Sequence, residues 1–229
     1  MNTVRKKNIV ITGSNRGLGL ALATCFADCH WNVLCCTRDK NNRNSQSLKK
    51  FYRNIKLDVN SDEDIDHLKS FVLDTPIDVL INNAGIYTNE AFGHCSRKAM
   101  LDMYAVNAIA PLLISQRLYE NLLLGEDKLI VNVTGRMGTF KSYTGPGSYG
   151  YRMSKAAANM LTKIMAEELQ SQNIKVISVH PGWIKTAMGG ADAPLSVTDS
   201  AQGIVNLIHH ADRLNSGSLY TFKEEILEF

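Results

Sequence analysis

At 229 residues, with 45% apolar and 21% charged residues, the chain is long enough to bury a sizeable core as one globular domain spanning residues 1–229. Its formal net charge of +3, with no basic block, speaks against nucleic acid as a partner. Arg5, Lys6 and Lys7 precede only the short run Ile9-Val10-Ile11, which reads as a strand and not a signal peptide, and no stretch is long enough to cross a membrane.

Short β-branched runs alternate with longer stretches of helical period. Strands are predicted at residues 8–12, 31–37, 54–57, 78–81, 128–133, 174–179 and 218–222. Helices are predicted at 17–29, from Ser61 to about 73, at 96–124, at 148–170 and at 197–209. The polar stretch 39–46 reads as an exposed loop, alone or followed by a short helix. Ser61 followed by Asp62-Glu63-Asp64 has the composition of a capped helix start. Such alternation throughout predicts an α/β fold: a doubly wound, Rossmann-type parallel sheet of about seven strands flanked by helices. Ligands then belong at the carboxyl ends of the strands, in the loops that follow them.

The five cysteines include no C-x-x-C pair. Cys25 and Cys29 are one helical turn apart, whereas Cys35 and Cys36 point to opposite faces of a strand. They read as buried free thiols in a reducing cytoplasm, with no metal site expected.

Two segments carry chemistry. Thr12-Gly13-Ser14-Asn15-Arg16-Gly17-Leu18-Gly19 lies between the first strand and the first helix. Its glycines allow a tight turn and a close backbone approach, and a helix N-terminus offers free N–H groups to a phosphate. Further on, Tyr151 and Lys155 are spaced i, i+4 and share one helix face. A phenol has a reference pKa of about 10, and a nearby ammonium is expected to pull it toward the working range. The pair could give a proton to a carbonyl or take one from an alcohol.

With these motifs in order, together with Asn82-Asn83-Ala84-Gly85, Asn107 and Pro181-Gly182, the chain resembles the short-chain dehydrogenase/reductase family over nearly its whole length. The stretches 149–155 and 180–186 resemble its sniffer/C-factor-like carbonyl reductases. The resemblance implies hydride transfer between NADP(H) and a small carbonyl or alcohol, with Tyr151, Lys155 and Asn107 catalytic. Asn107 would hold a water near Lys155. It implies cofactor contacts from the glycine loop, Asp58 and Val59 at the adenine, Asn83, Ala84 and Gly85 by backbone approach, and Tyr151 and Lys155. Pro181, Gly182, Ile184 and Thr186 would hold the nicotinamide. It also implies a homodimer or homotetramer. NADP(H) is the expected cofactor because Arg16 and Arg38 could both face a 2′-phosphate, and no acid precedes Arg38 at the end of the second strand. Asp39 would be a solvated loop residue.

One position departs from the pattern. The family carries a serine after the fifth strand, where this chain reads Asn132-Val133-Thr134-Gly135. The serine position falls on Gly135, with Thr134, Thr139 and Ser142 as hydroxyls nearby. This keeps an alternative open: a cofactor-binding signalling or regulatory protein with weak or no turnover. A positive φ at Gly135 would make a serine there strained.

Overall fold

The computed structural model describes residues 5–38, 52–143 and 145–229; the predicted loop 39–46 and Asp39 lie outside them. After β1 (Asn8–Thr12) come α1 (Gly17–Asp28), β2 (Asn32–Thr37), β3 (Tyr52–Lys56), α2 (Asp62–Val72) and β4 (Val79–Asn82). Next are α3 (Arg97–Tyr104), α4 (Ala110–Arg117), α5 (Tyr119–Leu123), β5 (Leu129–Val133) and α6 (Tyr149–Glu168). The chain closes with β6 (Lys175–His180), α7 (Val197–His209), β7 (Leu219–Thr221) and β8 (Ile226–Leu227).

The strands form one sheet in the order β3-β2-β1-β4-β5-β6-β7-β8. All neighbours pair in parallel except β7 with β8. The sheet thus has one strand more than the seven predicted. The two residues of β8 are too few to show a period.

Alternate residues of each strand serve opposite faces. Ile9, Ile11, Val33, Cys35, Val79 and Ile81 pack with Leu22 and Phe26 of α1 and Ile204 and Ile208 of α7. Val10, Leu34, Cys36, Leu80 and Ile130 pack on the other face with Leu68 of α2, Ile114 of α4 and Met165 of α6. Helices on both faces leave no solvated side, which is why the strands read as continuous apolar runs. Strand order reverses between β1 and β4, and the crevice beyond their carboxyl ends is where such sheets take ligands.

The single helix predicted over 96–124 is broken. Ser96 caps α3 by accepting from the Ala99 N–H at 3.4 Å, but a wide π-helical turn, Ala105–Ile109, separates α3 from α4. Pro111 has no N–H to offer the Asn107 carbonyl four residues back. That carbonyl loses its α-helical donor, at a point where such turns often mark function. The Ser61 cap is as predicted, accepting from Asp64 N–H at 3.1 Å. Helix α6 is slightly shorter than predicted: Ser148 adopts a left-handed conformation just before it, and a 3₁₀ turn, Gln170–Gln172, follows it.

Candidate active site

The glycine loop is anchored at both sides. Gly13 and Ser14 donate backbone N–H bonds to the Cys36 carbonyl at the end of β2, at 2.9 and 3.3 Å. On the β4 side, the Asn83 amide donates to the carbonyls of Thr12 (2.9 Å) and Gly13 (3.2 Å). Thr12 Oγ1 in turn accepts from the N–H groups of Asn83 and Ala84, both at 3.0 Å. Both Asn83 Nδ2 hydrogens are therefore occupied in holding the loop.

Two glycines are required here. Gly13 has φ +66°, and a Cβ on it would stand 2.9 Å from Ala84 Cα. A Cβ on Gly19 would stand 2.4 Å from the Gly13 carbonyl oxygen. Leu18 and Gly19 are buried in α1, and Arg16, at the N-cap, is exposed and extended with no side-chain cap on the helix. The first-turn N–H groups of α1 thus lack a side-chain cap at the mouth of the crevice, as a phosphate site requires. Arg38 is exposed just past β2. Asn15 lies in the loop, and a Cβ on Gly17 would lie 3.5 Å from Thr186 Cγ2, so the loop after β6 closes against the glycine loop.

The remaining predicted contacts also lie at strand ends. Asp58 Oδ1 accepts from Asn60 N–H, an Asx turn beside half-buried Val59. Pro181 and Gly182 follow β6, with Gly182 at φ +82°. Ile184 bridges to Leu195. Thr186 Oγ1 accepts from Gly189 N–H at 3.0 Å, which leaves its own hydrogen available to a ligand.

Tyr151, in the first turn of α6, and Lys155, one turn on, share a face as predicted. Lys155 is 4% exposed. Its Nζ donates to the Val133 carbonyl at 2.8 Å and lies 5.6 Å from the Tyr151 ring centre. A Cβ on Gly85 would come within 3.8 Å of that Nζ and 3.3 Å of Asn107 Oδ1, so Gly85 keeps the lysine accessible from the crevice. Asn107 is held from several directions. Its Oδ1 accepts from Ile86 N–H, and its Nδ2 donates to the Ile86 carbonyl and to Ser154 Oγ, at 2.9, 2.9 and 3.0 Å. Its side chain thus ties the loop after β4 to α6.

The pKa of Tyr151 moves opposite to the sequence expectation. Burial, with a smaller push from Tyr87, raises it to about 12, while burial lowers Lys155 to about 8. Desolvation outweighs the ammonium, which is spent on a carbonyl. Sequence reasoning also missed Tyr87, whose ring stands edge-on to Tyr151 at 5.0 Å. Its hydroxyl is 3.1 Å from Ser148 Oγ.

Gly135 does not take the positive φ that would strain a serine there. Its φ of 166° and ψ of 163° are extended backbone that any residue adopts. A Cβ there would meet His180 Nδ1 at 3.5 Å, an ordinary contact.

Residues 7–194 match the short chain dehydrogenase family model. The chain belongs to the short-chain dehydrogenase/reductase family. It is 36% identical to the C-signal of Myxococcus xanthus over 149 residues, 65% of this chain and 90% of that protein. To an L-xylulose reductase of Caenorhabditis elegans it is 34% identical over 191 residues, covering 80% and 74%. The fold is similar to the Drosophila melanogaster carbonyl reductase Sniffer, with TM-score 0.90, 27% identity and coverage of 98% and 100%. It is equally similar to an NADPH-bound carbonyl reductase from chicken fatty liver, with TM-score 0.89, 26% identity and coverage of 99% and 100%. These relatives make the short-chain dehydrogenase/reductase an oxidoreductase with a Rossmann fold. No helix among its described residues is long and apolar enough to cross a membrane.

Proposed function

We propose that the protein reduces a small-molecule carbonyl with NADPH. The observation that carries this is the pairing of Tyr151 with Lys155 on one face of α6, with Lys155 Nζ 5.6 Å from the phenol ring and bordering Gly85 in the loop after β4. Bound NADPH would supply the hydride. Gly13, Ser14, Asn15, Arg16, Gly17 and the N-terminus of α1 would take its pyrophosphate, and Arg16 with Arg38 its 2′-phosphate. Asp58 and Val59 would meet the adenine. Ala84, Gly85, Pro181, Gly182, Ile184 and Thr186 would orient the nicotinamide, and the NADPH-bound chicken reductase supports that choice.

Tyr151 donates its proton to the carbonyl oxygen, a role suited to a phenol that remains protonated at neutral pH. Lys155 would bind the nicotinamide ribose and return a proton to Tyr151, itself reprotonated by a water that the Asn107 carbonyl, left without a helical donor by Pro111, would hold. This assembled relay supports turnover over a purely signalling role.

Phe92, Phe140, Trp183 and Met188 are exposed on the loops after β4, β5 and β6, which favours substrates with an apolar body. Met153, Met160 and Ile164 line one exposed face of α6, beside exposed Leu101 of α3; that face supports a homodimer or homotetramer. A broad carbonyl panel with NADPH tests the function. Turnover that disappears in Tyr151→Phe supports it, and NADPH binding with no carbonyl reduced would favour the signalling reading.

A further inference from the structure

Of the hydroxyls between β5 and α6, those of Thr134, Thr139 and Ser148 are each engaged or sealed. Thr134 Oγ1 is buried away from solvent, with no partner among the described residues, so a substrate oxygen has no path to it. Thr139 Oγ1 donates to the Arg136 carbonyl at 2.8 Å and accepts from Ser142 N–H at 3.3 Å, closing the turn. Ser148 Oγ is shared between the Tyr87 hydroxyl and Asn89 Oδ1, both at 3.1 Å.

The side chain that borders the open face of Gly135 is His180, the last residue of β6. Its Nδ1 is 3.5 Å from where a Cβ on residue 135 would stand. Strand alternation gives its direction. Asn132 and Ser178 both bond Thr162 of α6, so His180, two residues beyond Ser178, points to the same side of the sheet. That is the side carrying Tyr151 and Lys155. The tautomer follows from Arg136, whose Nε lies 3.3 Å from His180 Nε2. Arginine can only donate, so Nε2 holds the lone pair and the ring hydrogen is on Nδ1. Burial and the Arg136 charge push the ring pKa down to about 4, so it stays neutral. Nδ1–H has no partner among the described residues.

We propose that His180 Nδ1–H donates the hydrogen bond to the substrate carbonyl oxygen, and that glycine at 135 is what opens the imidazole edge to that oxygen. The assignment rests on the reductase reading above. As hydride adds to the carbonyl carbon, the oxygen gains negative charge and takes the Tyr151 proton; His180 stabilises that charge and keeps its own proton. Arg136 is a positioning residue, acting through the tautomer it imposes.

The test uses NADPH and para-nitrobenzaldehyde with the full chain. His180→Phe keeps a ring but no donor and should lose about 10²–10³-fold in kcat, with NADPH affinity kept. His180→Asn, which retains an N–H near the same place, should lose about tenfold or less, and thermal unfolding reports whether either variant is misfolded. Gly135→Ser should rescue the His180→Phe background by roughly tenfold or more, and help it more than it helps the parent. Nitrogen-15 NMR of the protein without substrate should find a neutral ring protonated at Nδ1, converting toward a mixed tautomer in Arg136→Ala. A ring protonated at Nε2 would overturn the proposal. So would a parent-like rate in His180→Phe while Tyr151→Phe is dead, which leaves the reductase reading standing. Loss of rate in Ser142→Ala or Thr134→Val, with His180→Phe unaffected, would assign the role to that hydroxyl instead. A parent as inert as Tyr151→Phe sinks both readings together.

Discussion

Where the strands begin, Asp78 is fully buried and surrounded by donors. Arg5 gives its carboxylate two hydrogen bonds, at 3.0 and 2.7 Å, and the backbone N–H groups of Asn8 and Glu126 give one each at 2.7 Å. Burial opposes that charge, yet these donors hold the carboxyl below its usual range. Where the strands end, the buried Lys155 has a single hydrogen-bond partner among the described residues, the Val133 carbonyl. Burial moves both Lys155 and Tyr151 toward their neutral forms. Both regions bury ionisable groups beside the same β4 and β5. The first completes its hydrogen bonds and serves stability; the second leaves them incomplete, which is the condition for meeting a ligand.

Substitution should separate the two ends. Tyr151→Phe carries the largest expected effect: a loss of about 10²–10⁴ in carbonyl reduction, with NADPH affinity and unfolding midpoint nearly unchanged. Fluorescence titration beside steady-state rates checks both halves. Asp78→Ala should do the reverse, costing about 3–5 kcal/mol of stability because Arg5 and two N–H groups lose their acceptor. Its turnover per folded molecule should stay at the parent level. A variant that denatures as late as the parent would erase the distinction between the two ends.

Lys155→Met sharpens the contrast, since removing a residue of the proposed catalytic pair should strengthen the fold. The folded pKa is about 8, below the ordinary 10.5, so the unfolded chain holds more protons between those values. Parent stability therefore rises with pH across that window and carries the full cost of the charge below it. Denaturant unfolding near neutral pH should show Lys155→Met more stable by about 2–3 kcal/mol, with the gap closing as the pH approaches 10.5. Equal stabilities would mean that the ammonium is better satisfied than one carbonyl suggests. The smallest effect belongs to the rim. NADPH should bind at least about tenfold tighter than NADH, roughly 1.4 kcal/mol, and Arg38→Asp should narrow or reverse that preference.

The sequence reached the two ends unequally. β1 and α7 lie where periodicity puts them, and the glycine loop, Tyr151, Lys155 and Asn107 all come to the carboxyl edge of the sheet. The break in 96–124 had a legible cause in Pro111, outweighed by the strong apolar period around it. The direction of the Tyr151 shift was not legible, because it depends on how much of α6 and Tyr87 covers the phenol. His180 was hidden for a similar reason: its tautomer is set by Arg136, 44 residues away. Asp78 read only as the start of a strand, since its partners come from the N-terminal segment and the turn before β5.

The most direct test of hydride transfer is to supply NADPH deuterated at the transferring C4 position with para-nitrobenzaldehyde and examine the product by mass spectrometry and NMR. The account predicts one deuterium on the carbinol carbon with the parent protein and almost none with Tyr151→Phe. NADPH bound tightly by the parent, with no deuterium reaching the alcohol carbon of this or any other carbonyl, would contradict it.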